Sequence, residues 1–133
     1  MLEALALRLH PGQDLKVALD NLVREKNIQA ACVITCVGSL TRAVLRFADQ
    51  PKPAELDGPF EIVSLTGTLS TAGTHCHIAI ADRDGKTFGA HLLEGCQVYT
   101  TAEIVLGILP NSRFLRSMDQ QTGYEELQII HNE

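Results

Sequence analysis

The chain has 133 residues, 45% hydrophobic and 20% charged, with eleven basic against sixteen acidic side chains for a net charge of −5. That apolar content excludes a disordered tail, and no apolar run approaches the ~20 residues a membrane span requires. The negative balance argues against a nonspecific grip on DNA, which phosphate neutralisation drives, and the length fits one domain over residues 1–133 with a sizeable core.

The opening Met1-Leu2-Glu3 lacks the basic n-region of a signal peptide. The four cysteines, Cys32, Cys36, Cys76 and Cys96, form no CxxC pair, so neither a zinc ribbon nor a thioredoxin-type motif is expected. Apolar neighbours make buried, reduced thiols the expectation, and with it a cytoplasmic protein.

Glu3 to Leu9 alternates loosely and reads as a strand that Pro11-Gly12 breaks. Leu15, Ala18, Leu19, Leu22 and Val23 then recur at helical spacing, with Asp14 as N-cap and Asn27 as stop. Ile28 to Ser39 reads as a buried strand, and a tight turn at Gly38-Ser39-Leu40 is expected before a second strand over Thr41 to Ala48. Asp49 to Gly58 is polar and proline-bearing, hence a surface loop. Phe60 to Leu69 is strand-like, with Gly67 marking a bulge or a close backbone approach.

Thr100 and Glu103 spell a capping box, but the β-branched run after them, closed by Pro110, favours a strand over Thr101 to Leu109. Tyr124 to Ile130 reads as an edge strand, and Arg113 and Arg116 as a solvated face nearby. Arg46 either pairs with Glu61 across the sheet or stands as a solvent-exposed strand position. One helix and some seven strands make an α+β domain on a mostly antiparallel sheet.

The informative stretch is Gly73 to Leu92, where two strands flank an Asp-Gly turn. A two-residue loop of Asp84-Gly85 would set His91 opposite Ile78, away from His75 and His77. A three-residue loop, Arg83-Asp84-Gly85 with Gly85 in the left-handed region, would set His91 opposite His77. A one-residue slip exchanges the faces, so the apolar pattern selects the register. Only the longer loop puts Cys76, Ile78, Ile80, Phe88, Ala90 and Leu92 on one face and His75, His77 and His91 on the other.

Opposed Cβ atoms in such a pair lie ~4.5–5.5 Å apart, near enough for three imidazoles to reach one ion. Ala79 and Gly89 leave room beside them. Three histidines with an open fourth position is the catalytic-type zinc arrangement. His-only ligation equally suits copper, iron or nickel, so zinc or another divalent transition metal is expected. Glu103 or Glu94 could add a carboxylate. His10 and His131 have no partner pattern and read as surface residues.

Several segments together resemble the PPC domain, a plant and prokaryote conserved family. They are Arg8 to Leu15, Val37-Gly38-Ser39-Leu40-Thr41, Leu45-Arg46, Gly58 to Gly67, Gly73 to Ile78, Gly89-Ala90-His91-Leu92 and Thr100 to Val105. The resemblance implies about seven antiparallel strands flanked by helices, a homotrimer, and metal ligation at His75, His77 and His91. It also implies a link to DNA or transcription, although the Arg-Gly-Arg-Pro core of the plant AT-hook does not occur. Three functions follow: a trimeric metal-bearing module associated with DNA, a zinc-dependent enzyme with Glu103 as candidate general base, or a small-ligand-binding protein.

Overall fold

The computed structural model describes residues 1–132. It begins with β1 (Glu3–Leu9), α1 (Leu15–Glu25), β2 (Ala31–Arg46) and β3 (Ala54–Ser70). It continues with β4 (Gly73–Ala81), β5 (Thr87–Leu92), β6 (Gln97–Ile108), β7 (Ser112–Met118) and β8 (Glu125–His131). Among the described residues α1 is the single helix, so helices do not flank the sheet as the resemblance implied. The strands among the described residues number eight.

The first six form one sheet in the order β1-β6-β2-β3-β4-β5, antiparallel throughout. The long β2 also meets β5, Leu45 opposite Leu92 and Arg46 opposite His91. That contact closes β2, β3, β4 and β5 into a ring. α1 lies against β3, β4 and β6. Its buried Leu15, Leu19 and Val23 repeat at helical spacing. Asp14 caps it by accepting from the Val17 N–H at 3.1 Å, while its other oxygen accepts from the Gly95 N–H at 2.7 Å. The helix ends where Asn27 turns to φ 50°.

Leu40, Leu45, Leu69, Ile80, Ile104 and Leu106 are fully buried together with Leu15 and Leu19. Each such side chain contributes roughly 1.5–3 kcal/mol. The ion pairs among the described residues, Lys16–Asp20 and Arg42–Glu55, are part-exposed and contribute about 0–1 kcal/mol each. Apolar burial therefore holds this fold.

The structure corrects some expectations and narrows others. Gly38 does not turn the chain; it sits mid-strand in β2, where a Cβ would run into the Thr101 carbonyl oxygen. The glycine is needed for close strand approach. The loop expected to reach Gly58 ends earlier, because β3 begins at Ala54. Pro59 is accommodated at a bulge, where Gly58 and Pro59 oppose the single residue Thr41 and no ladder N–H is required of it. Arg46 is not joined to Glu61: it lies opposite His91, while Glu61 lies opposite Ser39 and Ala81. The C-terminal edge strand is present as β8, but it pairs with β7 in a separate two-stranded ribbon rather than joining the main sheet.

Ser112 to Met118 gave no strand signal because two arginines interrupt its alternation. Phe114 anchors it, buried and donating its N–H to the Gln29 carbonyl at 2.9 Å, while the Ser70 hydroxyl donates to the Phe114 carbonyl at 3.0 Å. The strand reading of Thr101 to Leu109 holds: β6 covers it as far as Ile108 and no helix starts at Thr100.

Candidate metal centre

The β4–β5 hairpin has the three-residue loop. Ala81 pairs with Thr87 and Asp82 donates its N–H to the Lys86 carbonyl at 3.0 Å. Gly85 takes φ +78°, a conformation that favours glycine. The Asp82 carboxylate accepts from the N–H groups of Asp84 and Lys86, both at 2.9 Å, and so fixes the turn. From this register His77 falls opposite His91. Cys76, Ile78, Ile80 and Leu92 are buried on the inner face, with Phe88 and Ala90 half-buried beside them.

On the outer face the three rings meet. The ring centroids of His77 and His91 are 4.5 Å apart, those of His75 and His77 5.0 Å, and those of His75 and His91 5.4 Å. His77 Nε2 lies 3.2 Å from His91 Nδ1. One nitrogen from each of the three residues falls within a set no wider than 4.8 Å. Two nitrogens on one tetrahedral zinc at ~2.05 Å stand roughly 3.3 Å apart, so the His77–His91 pair has the required spacing already. The fit to a divalent transition ion thus rests on donor type and convergence.

Partial burial lowers the His75 pKa from its ordinary value of 6.5, with His77 and Arg116 adding to the effect and Glu126 opposing it. Burial likewise lowers that of His91, helped by His77, Arg46 and His75. Both shifts favour the neutral ring, the form that ligates metal.

Of the candidate ligands, His75, His77 and His91 are brought together. Glu103 is not: it lies on β6, opposite Arg8 and Val37. Glu94 is exposed and also outside the cluster. Sequence reasoning missed Arg46 and Arg116 as neighbours of the imidazoles. Arg46 arrives through ring closure between β2 and β5, and Arg116 through a strand with no alternation, so neither had a local signal.

The chain is thus a small antiparallel β domain, closed in part into a barrel, with an imidazole trio on its outer face. It belongs to the Plants and Prokaryotes Conserved (PCC) domain family, whose sequence profile matches residues 1–110. Two proteins called bifunctional protein GlmU, from two Synechococcus strains, are 50% identical to it over 123 residues, 92% of this chain. The chain spans only 20% of the length of those curated relatives. A solved structure of a hypothetical protein from Salmonella enterica is 41% identical with a TM-score of 0.97, covering 100% of this chain and 96% of that one. A metal-containing protein from Archaeoglobus fulgidus is 30% identical with a TM-score of 0.83, covering 95% of this chain and 93% of that one.

Proposed function

We propose that this protein is a metal-binding PCC-domain module that holds one zinc, or another divalent transition ion, through His75, His77 and His91. The observation that carries the reading is the convergence of three imidazole nitrogens within 4.8 Å. The likeness in fold to a metal-containing archaeal protein supports it. Three protein ligands leave a fourth position open, where a bound ion would acidify water or polarise a ligand oxygen. Assembly as a homotrimer, which the family resemblance implies, is part of the proposal. The exposed Ile34, Val37 and Val63 of β2 and β3 supply apolar surface for an interface to cover. With a net charge of −5, multiplied in a trimer, the chain has little electrostatic means to hold DNA, and no DNA contact enters this reading.

The test is elemental analysis of untagged protein before and after zinc loading, with sedimentation equilibrium for the assembly. About one ion per chain, removed by a chelator, is expected. Less than about a tenth of an ion per chain after a competent loading attempt overturns the metal reading.

A further inference from the structure

Beside the imidazole trio lies a cleft of about 860 Å³, within the range of small-molecule sites, roughly 300–1,000 Å³. His75 and His91 line one side, and Arg46 and Arg116 come from two different elements. Arg116 stands on β7, and the lining residues Tyr124, Glu125 and Glu126 lie at or just before β8. That wall falls beyond residue 110, outside the stretch the family profile matches.

Five charged groups besides the histidines share this cleft: Arg46, Arg116, Asp49, Glu125 and Glu126. Neither guanidinium pairs with any of the three carboxylates; among the described residues the ion pairs are Lys16–Asp20 and Arg42–Glu55. Arg116 has one weak contact, donating to the Thr68 hydroxyl at 3.4 Å. Arg46 lies opposite His91 where β2 meets β5, and Arg116 lines the cleft together with His75. Two unpaired planar forks facing one cleft suit bidentate recognition of a carboxylate or phosphate.

We propose that this cleft binds a small hydroxylated oxyanion, its carboxylate or phosphate held by Arg46 and Arg116 and one oxygen directed to the open position between His75 and His91. The proposal rests on the metal reading above. The three carboxylates repel polyanions and accept hydrogen bonds from hydroxyls, which narrows the class to molecules of low charge with O–H groups.

The test titrates zinc-loaded protein, its zinc content measured independently, with lactate as a hydroxylated carboxylate and glycerol 3-phosphate as a hydroxylated phosphate. The variants are Arg46→Met and Arg116→Met, with Arg46→Lys as a charge-retaining control and circular dichroism to confirm folding. Saturable binding of at least one probe is expected, weakened about tenfold or more by each Met variant and less by Lys. Which probe binds decides between carboxylate and phosphate. Full zinc loading with no saturable binding, or with binding indifferent to both Met variants, overturns this proposal and leaves the metal reading intact. Failure to load zinc defeats both.

Discussion

His77 and His91, fourteen residues apart in sequence, face each other across the β4–β5 ladder with Nε2 and Nδ1 3.2 Å apart. Metal-free, one ring must donate to the other. With an ion between them both nitrogens present lone pairs, and His75 completes the set. Replacing His77 or His91 with Ala removes one of three ligands and is expected to weaken zinc at least about 100-fold. His131→Ala, in β8 and outside the cluster, is expected to leave affinity unchanged. Zinc titration against a chromogenic chelator measures both, and equal effects from the two kinds of variant would defeat the assignment.

Zinc affinity should depend on pH in a definite direction. Burial lowers the pKa values of His75 and His91 below 6.5. The lowered values favour the neutral, ligating rings, so proton competition at these two ligands weakens toward neutral pH. As pH falls through the lowered values, protons compete for the ligating nitrogens and affinity drops. The metal-free fold follows the same sense: the unfolded chain takes up protons near 6.5 while the folded one resists, so stability falls as pH drops below ~6.5. The rings are largely exposed, which keeps that second effect small. Affinity measured between about pH 5 and pH 8 checks the prediction; a flat profile across the range contradicts it.

The hairpin was legible in the sequence because every determinant is local. Asp84-Gly85 marks the turn, and the apolar set from Cys76 to Leu92 selects between its two possible registers. The distant contacts were not legible. Gly38 resembles a turn glycine until the Thr101 backbone is known to lie against it, 63 residues later in the chain. The place of Arg46 beside His91 depends on the closing of a ring of four strands, which no local pattern encodes. Glu103 suits a fourth ligand by residue type, but the sheet order sets its strand, β6, between β1 and β2 and away from β4 and β5.

The cysteines should differ in reactivity. Burial pushes the thiols of Cys36, Cys76 and Cys96 up to about 11. At mildly alkaline pH they are protonated and shielded, and the thiolate is the nucleophile. Cys32 is half-buried. An aromatic disulfide reagent applied to native protein is expected to modify Cys32 first, with the other three released only on unfolding. Peptide mapping identifies the site, and fast labelling of Cys36, Cys76 or Cys96 in folded protein contradicts the expectation.

Two glycines should respond to the same substitution by different mechanisms. At Gly85 a Cβ meets nothing within 4 Å, so Gly85→Ala costs only the strain of a left-handed φ, about 1–2 kcal/mol. At Gly38 a Cβ collides with the backbone of Thr101 and Ala102, which cannot move without parting β2 from β6. Overpacking with no flexible neighbour to yield costs about 3 kcal/mol or more. Urea unfolding of both variants separates the cases. Gly85→Ala should also retain zinc, because Asp82 still holds the turn and the His77–His91 register with it. Loss of zinc from a folded Gly85→Ala protein would show instead that the left-handed glycine, not the apolar pattern of the strands, sets the register that brings the imidazoles together.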